Sequence, residues 1–416
     1  MSLCVQLRLQ GVRVLVVGGG RIAFRKCCQL EQEGADIVVV AKQFDALFQG
    51  AAYPCITDCY RAQQLQGRML VIACCDDPLR NAQICEDARK AGIFAMSVQQ
   101  DTQATMHALA AEEGSEYILA AGTKGASPLL AKKMLKEMDE LVQREYASRI
   151  SLMRSLRQYI LHHVQQDERQ QLLTLLSELS EHNLRAVTEA VQGRRLLLLC
   201  FHGVKDDVTQ ELHEFCAAIE QQHPEVVTAI AFLSAAICAM HAQLSVDQWM
   251  QLLKPLNIEV SLVPMLFQNG RYYSRLFNMQ NALVTVKPVM FQNSMEVGKC
   301  LEQVRRNSGC SKLLVVYHSC VNGAFCELLE DITASNAGIC AVHEKQTRDC
   351  ELPWHDETIA VLLMYMLQGH HYRKDSAGDS ALVQRLQQQN CKVHVLSSSC
   401  IEQKPFQELM IKKMME

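Results

Sequence analysis

Val14-Leu15-Val16-Val17-Gly18-Gly19-Gly20-Arg21-Ile22-Ala23 is the stretch on which the reading of this 416-residue chain turns. Four aliphatic residues without alternation have the pattern of a strand buried on both faces, and they run straight into three glycines. Residues 21–33 have helix-forming composition, and residues 37–40 supply a second strand that closes a βαβ unit. The spacing Gly18-x-Gly20-x-x-Ala23 fits the dinucleotide fingerprint. Gly18 permits the turn, Gly20 lets backbone N–H groups approach a pyrophosphate, and Ala23 allows the helix to pack closely on the strand. The helix N-terminus adds a favourable field for the anion. Three glycines after a strand also serve as a plain packing turn, so the motif needs support from the rest of the chain.

Composition bounds that support. The length suggests two or three domains, and 49% hydrophobic residues suffice for globular cores. A net charge of −4 offers no bulk basic field for nucleic acid. The 19 cysteines are scattered; Cys27-Cys28 and Cys74-Cys75 are adjacent, and no pair of CxxC motifs has zinc spacing. No signal pattern opens the chain, and no apolar run reaches about 18 residues. A cytoplasmic protein with free thiols is expected, without nucleic-acid partner or membrane span.

Val40-Ala41-Lys42-Gln43 ends the second strand without the acid that NAD-specific sites often place there, so NAD against NADP stays open. Leu70-Val71-Ile72-Ala73 is another buried strand, ending in Cys74-Cys75-Asp76-Asp77-Pro78. Asp76 or Asp77 can cap the following helix, which carries Asn81, and Pro78 suits its first turn. Residues 93–98 and 117–121 are further strands. The second leads into Gly122-Thr123-Lys124-Gly125-Ala126-Ser127-Pro128, where Ser127 is an N-cap, Pro128 the first helical position, and 129–141 a helix.

VLVVGGGRIAFRK, LVIACCDDPLRN and GTKGASPLLAKKM, in that order and spacing, resemble the precorrin-2 dehydrogenase domain of siroheme synthases. The resemblance covers roughly residues 1–190. It implies a Rossmann domain over 1–112, a dimerisation region and helical tail over 113–192, and a homodimer. It also implies oxidation of precorrin-2 to sirohydrochlorin with NAD, some members inserting ferrous iron at the same site. The cofactor is then expected on Gly18, Gly19, Gly20, Arg21 and Ile22, with Asp76 and Asp77 at the next strand end. One residue departs from the family: its proton-transfer aspartate falls, without gaps, on Gln99, and Asp101 lies two residues later. An amide cannot accept a proton near neutrality and a carboxylate can, so Asp101 is the candidate catalytic group, against the plainer role of capping the next helix. Residues 129–192 read as helices, with Leu152, Leu156, Ile160 and Leu161 in one set and Leu172, Leu173, Leu175, Leu176 and Leu179 in another; such stripes pack helices together.

The remainder contains an internal repeat. Leu196-Leu197-Leu198-Leu199-Cys200-Phe201-His202 resembles Lys312-Leu313-Leu314-Val315-Val316-Tyr317-His318, each an apolar strand ending in His. The stretch 260–272 likewise resembles 362–372. Two α/β lobes with parallel sheets are expected within 195–416, over about 195–290 and 310–416. Ligands in such folds sit beyond the carboxyl ends of the strands, where His202, His318 and His371 would project. The second lobe offers His318, His343, Glu344, His370 and His371; the first has Arg271-Tyr272-Tyr273 in place of the paired histidines. Imidazole suits ferrous iron or cobalt, and a carboxylate can accept pyrrole protons.

Gly369-His370-His371-Tyr372-Arg373-Lys374-Asp375-Ser376-Ala377-Gly378-Asp379 resembles the cobalt chelatases of the anaerobic pathway, the class II chelatase-like fold that acts on sirohydrochlorin. The resemblance implies His318, Glu344 and His371 as metal-binding and catalytic residues, with Fe2+ or Co2+ as substrate metal. The crossover from Glu344 to Ile359 is short and contains Pro353, so its helix is expected to be truncated or missing. Taken together the resemblances imply a bifunctional enzyme whose first half makes sirohydrochlorin and whose second half metallates it, for siroheme or cobalamin. Two alternatives are a dimeric NAD-binding scaffold that has lost oxidation and supports the chelatase, and an NAD sensor, for which no DNA-binding element is found.

Overall fold

The computed structural model describes residues 3–99, 103–241, 243–317, 323–346, 353–368 and 381–416. It divides into two units, Met1–Arg144 and Glu145–Glu416.

In the first unit β1 (Arg13–Val17), β2 (Asp36–Ala41), β3 (Cys55–Thr57), β4 (Leu70–Ala73) and β5 (Phe94–Ser97) form one parallel sheet in the order β3-β2-β1-β4-β5. Helix α1 (Arg21–Gln32) covers one face and α2 (Pro78–Lys90) the other. Strand periodicity sorts the apolar run of β1 between them. Val14 and Val16 meet Ala23, Cys27 and Leu30 of α1, whereas Leu15 and Val17 meet Ile84, Cys85 and Ala88 of α2. That two-sided burial is why the run has no polar alternation. A hairpin, β6 (Ala110–Glu113) with β7 (Ile118–Ala121), leads to α3 (Pro128–Glu145). Ser127 Oγ accepts from Leu130 N at 3.2 Å, the expected cap of that helix. On α3, Leu129, Leu130, Met134, Met138 and Leu141 are exposed.

The second unit opens with α4 (Ala147–His163), α5 (Gln166–Ser177) and α6 (Glu181–Val191). There follow β8 (Arg195–Phe201), α7 (Thr209–Gln222), β9 (Val226–Phe232), α8 (Ala235–Met240), α9 (Val246–Leu253), β10 (Val260–Met265), α10 (Arg271–Phe277) and β11 (Val284–Val286). Helix α11 (Ser294–Asn307) leads to β12 (Lys312–Tyr317), α12 (Ala324–Ser335), β13 (Ile339–His343), β14 (Thr358–Met364) and β15 (Lys392–Val395), with helices over Ala381–Gln388 and Lys404–Met415. The two parallel sheets run β11-β10-β8-β9 and β13-β12-β14-β15, which is one strand order used twice. Phe201 stands opposite Met265 and Phe232, and Tyr317 opposite Met364 and His343, so the lobes correspond residue for residue at their strand ends. Phe201, Phe215, Met265, Phe291, Phe325, Met364 and Phe406 share one core that joins the two lobes.

One feature differs from the sequence-based division. Helices α4 to α6, grouped there with the N-terminal half as a dimerisation tail ending at 192, pack in the second unit: Leu156, Ile160, Leu172, Leu176, Leu184 and Val187 are buried against Leu198, Val227, Ala229 and Trp249. The apolar stripes of these helices and the outer face of the first-lobe sheet need cover, and each supplies it to the other. The crossover from β13 to β14, in its described part, carries only a short 3-10 turn, Glu344–Gln346, where the first lobe has α8 and α9. Trp354, buried among Leu314, Val316, Val361 and Leu363, fills part of the space a helix would cover.

Candidate functional sites

In the first unit the strand order reverses between β1 and β4, and the carboxyl ends of those two strands carry Gly18–Gly20 and Cys74–Asp77. A crevice at such a switch point is where open α/β sheets bind ligands. Gly18 has φ +134°, and a Cβ there would stand 2.4 Å from the Cys74 carbonyl oxygen. A Cβ on Gly19 would stand 2.1 Å from the Gln43 carbonyl oxygen. Those two glycines are therefore demanded by the protein's own backbone. Gly20 is different: it caps α1 in an extended conformation, and a Cβ there would meet nothing within 4 Å. The space is open at the N-terminus of a twelve-residue helix without an acid in its first turn, which suits a pyrophosphate. Ala23 is fully buried, as close helix–strand packing requires.

Arg21 and Ile22 turn their side chains to solvent, Arg21 lying 3.7 Å from Asp45. Asp45 was not singled out from the sequence because it lies four residues beyond β2; its N–H donates to Gly19 O at 2.8 Å, which brings its carboxylate beside the glycine turn. Asp77 is engaged as the cap of α2, accepting from Leu79 N at 2.9 Å, and Asp76 is exposed. Asn81, buried, accepts from Cys75 N at 2.9 Å, donates to Cys75 O at 2.8 Å and donates to Gln99 Oε1 at 3.3 Å. It thereby ties the ends of β4 and β5 together. Burial pushes the thiols of Cys27 and Cys74 up to about 12, so both are protonated packing residues. Asp101 lies outside the described residues.

In the second lobe Glu344 directly follows β13 and Tyr365 directly follows β14, the two neighbours of β12. Tyr365 Oη donates to Glu344 Oε2 at 2.8 Å, spanning the carboxyl end of β12, the strand from which His318 follows in sequence. His343 is buried, with its ring edge-on to Tyr317 at 5.4 Å. His318, His370 and His371 lie outside the described residues. The first lobe is described at the corresponding positions. Counting from the paired strand ends, His202 matches His318 and Tyr272 matches His371. His202 is exposed, and its ring stands edge-on to Tyr272 at 5.0 Å. Tyr365 escaped the sequence reading because its partner comes from a distant strand end.

The first unit is thus a Rossmann-type dinucleotide-binding domain, and residues 5–109 match a family model described as NAD(P)-binding. The N-terminal region is similar to siroheme synthases. The enzyme of Azotobacter vinelandii is 33% identical over 153 residues, 36% of this chain and 33% of that protein. That of Pseudomonas putida strain W619 is 34% identical over 149 residues, 35% and 32% of the two chains. The chain therefore spans about a third of the length of these relatives. Among solved structures, SirC, precorrin-2 dehydrogenase, superposes with a TM-score of 0.34 at 22% identity, over 45% of this chain and 99% of that one. Among the described residues no helix is long and apolar enough to cross a membrane.

Proposed function

We propose that the chain is a bifunctional enzyme of modified tetrapyrrole synthesis, oxidising precorrin-2 to sirohydrochlorin in its first unit and inserting ferrous iron or cobalt in its second. For the first step the carrying observation is the open space at Gly20 beside a helix N-terminus, at the switch point of a sheet in a region similar in sequence to siroheme synthases. The backbone N–H groups of Gly20, Arg21 and Ile22 would hold the pyrophosphate of NAD, and Asp45 is the carboxylate best situated for a ribose hydroxyl. When bound, the nicotinamide supplies a hydride acceptor. Asp101 is proposed to take the proton that Gln99 cannot. A second reading, a dimeric NAD-binding scaffold without dehydrogenase activity, draws on Gln99 itself: its carbonyl already accepts from Asn81.

For metal insertion, His318 and His371 are proposed to bind the incoming metal and Glu344 to receive one of the two protons that the pyrrole nitrogens release. What supports this is the doubled strand order and the Tyr365–Glu344 bond, which holds a carboxylate at the strand ends. A positioned general base lowers such a barrier by roughly 10²–10⁴-fold. A homodimer is proposed through the exposed apolar residues of α3. The deciding experiment gives purified protein precorrin-2, NAD or NADP and each metal in turn. Cofactor reduction together with a metallated product is expected. Metallation of supplied sirohydrochlorin without precorrin-2 turnover would favour the scaffold, and neither activity would refute the proposal.

A further inference from the structure

The first lobe reaches the segment that leads into Gly369–His371 through one carboxylate. Glu211, in the first turn of α7, accepts the backbone N–H of Gln368 at 3.2 Å with one oxygen and the Ser399 hydroxyl with the other. Gln368 lies four residues beyond β14, directly before Gly369. Ser399, fully buried beyond β15, donates its own N–H to Glu402 at 2.7 Å, and the Gln368 side-chain amide donates to Glu402 and, at 3.3 Å, to Ser397 O. Gln368, Ser399 and Glu402 are thus a knot within the second lobe, and Glu211 fastens it to the first. Glu211, Gln368 and Glu402 line an open cleft together with Asp207, Gln210 and Glu214.

We infer that Glu211 is a positioning residue: it clamps Gln368, and with it the end of β14 that carries Tyr365, to the first lobe, and so steadies the strand end at which Tyr365 holds Glu344. Its catalytic consequence rests on the chelatase reading; the clamp does not. The clamp is also sensitive to protonation. Burial raises Glu211 to about 7, and the nearby Glu402 and Glu214 add to the rise against its two hydrogen bonds. Glu214 and Asp207 face it from its own lobe, with His213 and His241 near Asp207, and Glu402 and the Cys400 thiol face it from the other. No cation lines the cleft among the described residues. Because the clamped carboxyl titrates above its ordinary 4.5, closure is fully favoured below that value and loses this contribution as pH rises through about 7.

Amide hydrogen exchange on the full chain, corrected for intrinsic rates, tests the clamp. Glu211→Ala should speed exchange at Gln368 and Ser399 by roughly tenfold or more, one hydrogen bond being worth about that factor, while β8 and β12 stay protected. Glu211→Gln, which keeps an acceptor and carries no charge, should preserve protection and abolish the loosening expected of the wild type above about pH 7. Should Glu211→Ala fail to fold, Ser399→Ala removes one of the two bonds and should give a smaller increase at the same amides. Unchanged exchange in whichever variant folds overturns the clamp. Insertion of Fe2+ or Co2+ into sirohydrochlorin then tests positioning: Glu211→Ala should lower kcat about tenfold or more, and Glu211→Gln should flatten the pH profile near 7. Faster exchange with unaltered insertion overturns the positioning role. A wild type inert with both metals defeats the chelatase reading and with it that role, while exchange still decides the clamp.

Discussion

Cutting the chain at Glu145 should leave a second unit that folds, and cutting it at Arg195 should not. The shorter fragment loses α4 to α6. With them go Leu156, Ile160, Val164, Leu172, Leu176, Leu179, Leu184 and Val187, all buried against the first-lobe sheet and its helices. At about 1.5–3 kcal/mol for each buried aliphatic side chain the gross loss exceeds 10 kcal/mol, which is of the order of a whole domain's net stability. The face left behind includes Leu198, Val227, Ala229 and Trp249. The edge is stripped as well: β9 ends its sheet, and Asn183 of α6 donates to Ile230 O at 3.0 Å and accepts from Ile230 N at 2.8 Å. An uncovered edge strand beside an apolar face promotes association between chains. We therefore expect residues 145–416 to give a soluble species with a cooperative thermal transition and residues 195–416 to aggregate or lack one, read by size exclusion and circular dichroism. Asn183→Ala within 145–416 should cost about 2 kcal/mol in denaturant unfolding. A monodisperse 195–416 fragment melting at the temperature of the longer one would refute this account of the helices.

Gly20→Val should leave the melting temperature nearly unchanged, since its Cβ would meet nothing within 4 Å, yet weaken nicotinamide cofactor binding by tenfold or more in a fluorescence titration; equal affinity would remove the pyrophosphate from this turn. Gly18→Ala is its contrast, predicted to destabilise the unit by several kcal/mol because the added carbon collides with a backbone carbonyl. Gln99→Asp should raise precorrin-2 oxidation in a steady-state assay if proton transfer limits it, and an unchanged rate would move the base elsewhere. His371→Ala should slow metal insertion by a hundredfold or more and His202→Ala by less than tenfold; the reverse order would shift the chemistry to the first lobe. Tyr365→Phe frees Glu344 of its bonded hydroxyl and should alter insertion about tenfold without changing the fold.

Local pattern carried a large part of this molecule. The run Val14 to Val17, the cap at Ser127 and the strand repeats at Leu196 and Lys312 are legible because each depends on neighbours in sequence: period, turn residues, helix termini. The parallel α/β class follows from that alternation. Tertiary structure decided what residues far apart do to one another. Which side α4 to α6 would cover is not encoded in their own stripes, since an apolar face records only that a partner exists. That the Gln43 carbonyl leaves no room for a side chain at Gly19, that Asn81 joins Cys75 to Gln99, and that Asp45 stands at the glycine turn are consequences of where strand ends meet. So too with Tyr365 on Glu344 and Glu211 on Gln368, which are 21 and 157 residues apart. Hydrogen bonds and burial act over a few ångströms of space, and only the closed sheets and the shared core of the two lobes bring those residues within that range.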